Sequence, residues 1–137
     1  MYDFIGIGSV VVDYFFEGDK RFFEDLGVDL KGDVKLKGKI TFVEIQKRLP
    51  FLAKSPGGMA ANTLAVLTKL GSKTSYIGVI GQDSDGDYWI KNTPLSDRSH
   101  LIRTGITTKH ACVLYNHRRD RAFRNQPNPR DNSFFKK

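Results

Sequence analysis

The chain has 137 residues, enough for one domain, and its 39% of hydrophobic residues together with 13 glycines is typical of a globular protein. No apolar run reaches the roughly 18 residues that a membrane-spanning helix needs, and the N-terminal residues show neither the basic segment nor the cleavage site of a secretory signal. The single cysteine, Cys112, excludes an internal disulfide framework and a cysteine-based zinc site. We therefore expect a cytoplasmic protein that does not insert into membranes.

The net charge of +7 is carried by the C-terminal part of the chain. Residues 98–137 contain ten Lys and Arg against two Asp, whereas residues 1–97 are nearly balanced. A basic segment of this kind can bind nucleic acid or an acidic membrane surface, or it can be one solvated face of a domain. Because only the net charge supports a nucleic-acid partner, we favour the solvated face.

The first elements alternate between β-rich and helical patterns. Residues 2–12 are rich in Ile, Val and Phe, which predicts a strand that runs into a glycine-containing turn. The spacing of apolar residues predicts a helix around residues 22–26. A second helix is predicted over residues 41–49, because Thr41 and Glu44 have the spacing of a capping box.

The clearest pattern occupies the middle of the chain. Residues 55–58 (SPGG) predict a turn, and the Ala- and Leu-rich residues 59–70 predict a helix that is buried on most sides, with Gly71 as its C′ residue. A buried strand over residues 75–80 and a helix over residues 87–92 follow. Strand, helix and strand joined by short loops predict an α/β fold with a parallel sheet.

A β-hairpin is predicted near the C-terminus. Two β-prone segments, residues 111–115 and 121–124, flank a polar turn. Cys112 lies in the first of them and is predicted to be a small buried apolar residue. Residues 125–137, with two prolines and no periodicity, predict a loop.

Several motif-like patterns lack residues that their chemistry needs. Residues 6–11 begin like a dinucleotide-binding fingerprint, but Val11 replaces the third glycine and no helix follows. Residues 83–94 open with the aspartate spacing of an EF-hand but lack its later Gly and Glu. The three histidines lie far apart with little carboxylate support, so we predict surface or hairpin positions, and no metal site, for His100, His110 and His117.

One glycine motif remains as a candidate site. Gly57 and Gly58 at the start of a helix allow a ligand to approach the backbone closely, and Asn62 lies one turn into that helix. Asp13 is predicted just beyond the first strand, at the carboxyl edge where α/β sheets collect ligands. A carboxylate and an amide together suit a polyhydroxylated ligand. The alternative is a glycine-rich turn in which the asparagine bonds the backbone.

The sequence resembles the ribokinase/PfkB family of carbohydrate and nucleoside kinases. The residues that carry the resemblance are IGIGSVVVDYF (5–15), SPGGMAANTLAVLTKLG (55–71), YIGVIGQDSDGDYW (76–89) and TGITTKHACVLYNHRRDRAF (104–123). They occur in the order in which the family has them. The segment FFEDLGVDLKGD (22–33) is most similar to the adenosine-kinase-like branch.

This resemblance implies a ribokinase-like fold, in which a Rossmann-like parallel sheet flanked by helices carries a small β lid. Residues 1–137 would form its N-terminal, substrate-binding half, with lid strands within about 14–45 and 111–124. The residues implied to hold the sugar hydroxyls are Asp13, Gly57, Gly58 and Asn62. Arg121 falls where some members place an arginine near the path of the phosphate.

The family implies ATP and Mg²⁺ as cofactors and phosphate transfer to the hydroxymethyl group of a sugar or nucleoside. Its catalytic base lies in a Gly-Ala-Gly-Asp motif, and no Gly-x-Gly-Asp occurs here. We therefore expect the C-terminal ATP-binding half to be absent, the chain alone to be inactive, and any dimer to form through the lid strands or the missing half.

Two alternatives to the kinase half remain. The chain could be a stand-alone sugar- or nucleoside-binding module, or a basic protein that binds anions or nucleic acid through residues 98–137. A change of Asp13 would abolish ligand binding for the kinase half and for the binding module. Only the basic binding protein predicts steep salt dependence of binding.

Overall fold

A computed structural model of the chain describes residues 1–29, 33–36, 40–116, 118 and 120–126, with the side chains of Asp33, Asn125 and Gln126 left aside. The described residues divide into two compact units. The first unit comprises residues 1–12 and 55–109, and the second comprises residues 13–54 and 110–126.

The described residues form strands and helices that alternate along most of the chain. In chain order they are β1 (Phe4–Ile7), β2 (Val11–Glu17), α1 (Lys20–Asp25), β3 (Asp33–Lys35), α2 (Phe42–Arg48), β4 (Phe51–Gly57), α3 (Met59–Lys69), β5 (Thr74–Gly81), α4 (Ser84–Asn92), β6 (Leu101–Thr104), β7 (Lys109–Tyr115) and β8 (Arg121–Gln126).

The first unit is built on a parallel sheet with the strand order β1-β5-β6. Helix α3 packs on β1 and β5, and α4 packs on β5. Tyr76 of β5 and Trp89 of α4 are fully buried, with ring centroids 5.5 Å apart. The predicted α/β fold with a parallel sheet is confirmed.

The second unit is built on a five-stranded sheet with the order β3-β8-β7-β2-β4. Strands β7 and β8 are antiparallel, which confirms the predicted hairpin, and β3 runs parallel to β8. Strands and helices contribute to one apolar cluster, whose buried members include Phe16, Phe22, Ile45, Cys112 and Leu114. Burial of these side chains stabilises the unit.

Both helices of the second unit begin at a side-chain cap. The carboxylate of Asp19 accepts a hydrogen bond from the backbone N–H of Phe22 at 2.7 Å and thereby caps α1. At α2, Thr41 and Glu44 form the predicted capping box, with each side chain bonding the backbone N–H of the other. These local bonds satisfy N–H groups that have no partner inside the helix.

The strand predicted in residues 2–12 forms as β1 and ends just before Gly8, as expected, but a second strand, β2, already begins at Val11. Strand β1 pairs with β5, whereas β2 belongs to the five-stranded sheet. Because the two strands belong to different sheets, the chain must leave the first sheet before it enters the second. Asp13 therefore lies beyond the first strand, as predicted, but inside a second strand, β2, that was not predicted.

The turn predicted over residues 55–58 is also mostly wrong. Residues 55–57 continue β4, and only Gly58 lies outside it, as the N-cap of α3. Proline is tolerated in an edge strand because its missing N–H costs no ladder bond. Strand β4 is at the edge of its sheet, which explains why Pro56 does not end the strand.

The predicted helix over residues 59–70 forms as α3, but it is less buried than expected. Only Ala61 and Leu64 are buried, because the helix contacts β1 and β5 through one face, and an Ala- and Leu-rich composition does not say how many faces are covered. Gly71 follows with a φ of +95°, as expected for a C′ residue.

Two boundaries differ from those predicted. Helix α4 begins at Ser84 rather than Asp87, because Asp83 caps it. The loop predicted over residues 125–137 is wrong at its start, since Asn125 and Gln126 pair with β7 as the end of β8. The remainder of that prediction lies outside the described residues.

Candidate functional site

The glycine pair that precedes α3 has a well-defined backbone geometry. Gly57 ends β4, and its carbonyl oxygen accepts a hydrogen bond from Nε1 of Trp89 at 3.0 Å. Gly58 has a φ of +110°, and a Cβ atom placed there would lie 2.7 Å from the backbone oxygen of Ser9. A side chain at Gly58 would therefore be strained and would clash with backbone.

Asn62 lies in the first turn of the same helix. Its backbone N–H donates to the carbonyl oxygen of Gly58 at 2.9 Å, while its side chain is exposed. The alternative in which this side chain bonds the backbone is not seen among the described contacts. The amide is thus available at the end of α3 where free backbone N–H groups can attract a ligand oxygen.

Asp13, the third residue of β2, is half-buried. Burial raises the pKa of its carboxyl group, because removal from water disfavours the charged form. No hydrogen bond or ion pair to this carboxylate occurs within the described part of the chain. A carboxylate that is partly desolvated and without a partner is available to accept hydrogen bonds from a ligand.

The structure places three of the four predicted sugar-binding residues together. Gly57, Gly58 and Asn62 lie at the start of α3 in the first unit, whereas Asp13 belongs to the second unit. The joint action of all four residues on one ligand stays a prediction. Arg121 is exposed on β8, with its guanidinium 5.3 Å from the ring centroid of Phe123; its role near a phosphate also stays a prediction.

Asp83 caps a helix, a role that the EF-hand-like spacing of the acidic residues did not indicate. Its carboxylate caps α4 by accepting from Gly86 N–H at 2.8 Å, and it also accepts from the backbone N–H and the hydroxyl of Thr108, each at 2.6 Å. Burial on its own would raise the pKa of Asp83, but these hydrogen bonds outweigh it and lower the pKa. The Asp83 carboxylate therefore joins the start of α4 to the segment before β7.

We expect Asp83→Ala to destabilise the protein by about 0.5–2 kcal/mol near neutral pH, the usual cost of losing a helix cap. Because folding lowers the pKa of Asp83, its stabilising contribution is present above its ordinary pKa and is lost as the pH falls below about 4. Urea unfolding at several pH values should show the difference from wild type shrinking on acidification.

The matched control is Asp87→Ala, which removes an exposed carboxylate from the same helix turn. Asp87 pairs with Arg103 at 2.7 Å, but its side chain is 68% exposed, and exposed ion pairs contribute about 0.2–1 kcal/mol. A larger effect at Asp87 than at Asp83 would contradict the structural role given to Asp83.

A serine, a histidine and an aspartate meet at the amino end of β5. Ser75 Oγ lies 3.0 Å from Nδ1 of His100 and donates to Oδ2 of Asp97 at 3.1 Å, while the same Asp97 oxygen lies 3.3 Å from that ring nitrogen. A catalytic triad needs the serine and the carboxylate on different ring nitrogens. These three side chains therefore form a structural network and not a nucleophilic site.

The predictions for His110, His117 and Cys112 have different outcomes. His110 lies in the hairpin, paired with Gln126, as the prediction of a surface or hairpin position allows. Its side chain is buried, at 6% exposed, with its ring centroid 4.2 Å from that of Phe42. His117 lies outside the described residues. Cys112 is buried as predicted, and burial raises the pKa of its thiol to about 12.

Membrane and metal features can be stated for the described residues alone. None of their helices is long and apolar enough to cross a membrane. Within the same residues, no group of three or more His, Cys, Asp or Glu side chains is arranged to hold a metal ion.

Comparison with known proteins gives a family and a fold. A protein-family model described as "pfkB family carbohydrate kinase" matches residues 28–137 of the chain. No curated protein matches the chain. The adenosine kinase of Sinorhizobium meliloti aligns with a TM-score of 0.68 at 20% identity, over 93% of this chain and 39% of that one.

Two further solved structures agree. The Anopheles gambiae adenosine kinase, in complex with P1,P4-di(adenosine-5) tetraphosphate, has a TM-score of 0.75 at 16% identity, over 95% of this chain and 40% of that one. The Halothermothrix orenii fructokinase has a TM-score of 0.63 at 16% identity, over 90% of this chain and 37% of that one. At such identities the likeness shows the fold, which is ribokinase-like, and the chain spans about two fifths of the length of these structures.

Proposed function

The chain belongs to the pfkB family of carbohydrate kinases, and from this premise we propose that it is the substrate-binding part of a kinase that phosphorylates a hydroxymethyl group of a sugar or nucleoside. The observation that carries the proposal is the glycine-led start of α3, where Gly58 has a backbone conformation that favours glycine and Asn62 presents an exposed amide. We place the protein in the cytoplasm, with a small molecule and not a nucleic acid as its ligand.

Each proposed site residue has a distinct chemical part in substrate binding. Asp13 accepts hydrogen bonds from sugar hydroxyls, and such bonds to a charged group contribute roughly 1.5–3 kcal/mol each. The Asn62 amide can both donate to and accept from a hydroxyl. Gly57 and Gly58 let the substrate approach the backbone. Each of these groups is suited to a hydroxyl-rich substrate.

Phosphoryl transfer needs more than orientation of the acceptor. It requires positioning of the phosphoryl donor, stabilisation of charge, and a group that accepts the hydroxyl proton. The kinase family implies ATP as the donor. This sequence has no Gly-x-Gly-Asp to supply the base. We therefore assign this chain no catalytic residue.

We expect the purified chain to transfer no phosphate from ATP to any sugar or nucleoside. Loss of a general base alone typically lowers a rate by about 10²–10⁴-fold, and loss of donor positioning lowers it further. Transfer from γ-labelled ATP should be measured with adenosine and fructose as acceptors, after removal of host kinases. Turnover that copurifies with the chain would contradict the assignment, whereas binding of either acceptor without turnover would support it.

A further inference from the structure

Two buried aromatic residues of the first unit bond the backbone near the start of α3. Tyr76 and Trp89 are both fully buried, with ring centroids 5.5 Å apart. The indole N–H of Trp89 donates to the carbonyl oxygen of Gly57, and the hydroxyl of Tyr76 donates to the carbonyl oxygen of Ser9 at 3.1 Å. A buried tyrosine or tryptophan usually finds a hydrogen-bond partner for its polar tip, and both of these acceptors are backbone groups.

The Ser9 carbonyl oxygen also lies against Gly58, the N-cap of α3. A Cβ atom at Gly58 would lie 2.7 Å from this oxygen, so the oxygen occupies space that a side chain at Gly58 would need. The carbonyl oxygen of Gly58 in turn accepts from the backbone N–H of Asn62 at 2.9 Å. A short series of contacts therefore joins the Tyr76 hydroxyl to the first turn of α3.

The segment that carries Ser9 is closely fitted to the Tyr76 ring. A Cβ atom at Gly8 would lie 2.9 Å from the Tyr76 hydroxyl oxygen, and one at Gly78 would lie 2.8 Å from Cε1 of the same ring. Backbone therefore approaches the ring at two positions where only glycine leaves enough room. Because a phenylalanine ring would fill nearly the same volume, the hydroxyl contributes the hydrogen bond to Ser9 and not the packing.

We propose that Tyr76 is a positioning residue for substrate binding at the start of α3. Its hydroxyl fixes the Ser9 carbonyl against Gly58 and thereby holds the first turn of the helix in one geometry. Trp89 holds the adjacent Gly57 in the same manner. A site that is fixed before the ligand arrives binds more tightly, because less ordering is needed on binding. This inference rests on the substrate-binding function proposed above.

The variant Tyr76→Phe tests this role, because it removes the hydroxyl and keeps the ring. Titration calorimetry on the full chain measures binding of adenosine and of fructose. We expect the compound that the wild type binds to bind the variant roughly three- to tenfold more weakly, the effect of losing one neutral hydrogen bond. The matched control is Tyr2→Phe, which removes a tyrosine hydroxyl that donates to Asp97 at 2.8 Å in the same unit; its affinity should equal that of the wild type.

Amide hydrogen exchange reports on the start of the helix without a ligand. The N–H of Asn62 bonds the Gly58 carbonyl in the first turn of α3, and the N–H of Leu70 bonds the Val66 carbonyl at the other end. We expect Tyr76→Phe to accelerate exchange at Asn62 by at least about tenfold and to leave Leu70 unchanged, because loss of the hydroxyl releases the start of the helix alone.

The two measurements separate a positioning role from a general contribution to stability. Faster exchange confined to Asn62, together with weaker binding, would support the proposal. Equal acceleration at Asn62 and Leu70, or an affinity of Tyr76→Phe equal to that of a wild type that binds, would overturn it, as would the same effects in Tyr2→Phe. If the wild type binds neither adenosine nor fructose, the proposed function fails, and exchange at Asn62 alone decides whether Tyr76 positions the start of the helix.

Discussion

Replacement of Trp89 by alanine is expected to destabilise the protein by about 3–5 kcal/mol, the usual cost of removing a large aromatic side chain from a core. Trp89 is fully buried, packs against Tyr76, and donates its indole N–H to the carbonyl of Gly57. The variant thus loses core packing and leaves a buried carbonyl oxygen without its partner. Urea unfolding followed by far-UV circular dichroism measures the change without relying on tryptophan fluorescence.

The variant Trp89→Phe separates the contribution of core packing from that of the indole hydrogen bond. Phenylalanine keeps most of the apolar ring but cannot bond the Gly57 carbonyl, so we expect a smaller loss of about 1–3 kcal/mol for the unpaired acceptor. Thr93→Ser, a small change at another buried position near the end of α4, serves as the control. Equal stability of Trp89→Phe and the wild type would mean that the indole hydrogen bond does not stabilise the end of β4 at Gly57.

The elements that could be predicted from sequence are those determined by neighbouring residues. The capping box at Thr41 and Glu44 depends on contacts three residues apart, and the hairpin of β7 and β8 depends on two β-prone segments around a polar turn. Gly71 was predicted for the same reason, because a positive φ after a helix favours glycine.

Features that depend on distant residues could not be predicted. The break between β1 and β2 arises because the two strands join different sheets, and no residue in 2–12 encodes that choice. The bonds from Thr108 to Asp83 span 25 positions in the sequence. The register of β1, β5 and β6 also depends on residues far apart in the sequence, and composition does not reveal it.

The candidate site also has one part that local sequence predicts and one part that depends on distant residues. The start of α3 could be predicted from local sequence, because a glycine pair before an Ala- and Leu-rich segment is a local pattern, and the structure places Gly57, Gly58 and Asn62 at that helix end. The position of Asp13 within β2 could not, since it depends on which sheet receives the strand. Its half-buried, unpartnered carboxylate is the property that makes it a candidate for ligand binding.

Asp13→Asn is expected to weaken binding of adenosine or fructose by at least about tenfold, or roughly 1.4 kcal/mol, because the neutral amide accepts hydrogen bonds from hydroxyls less strongly than a carboxylate. The same change should stabilise the fold near neutral pH. Burial raises the pKa of Asp13, so its charged form opposes folding, and this cost disappears as the pH falls through the raised pKa. Titration calorimetry and urea unfolding at several pH values measure the two effects.

Weaker ligand binding combined with a more stable fold distinguishes a binding residue from a merely structural one, since loss of a structural contact lowers both. Glu17→Gln is the matched control, because Glu17 is an exposed carboxylate on the same strand, β2; it should change neither quantity appreciably. If Asp13→Asn leaves the affinity unchanged while Asn62→Ala lowers it, the ligand is held at the start of α3 without Asp13. If Asp13→Asn destabilises the fold, its carboxylate contributes to folding and the assignment to substrate binding is wrong.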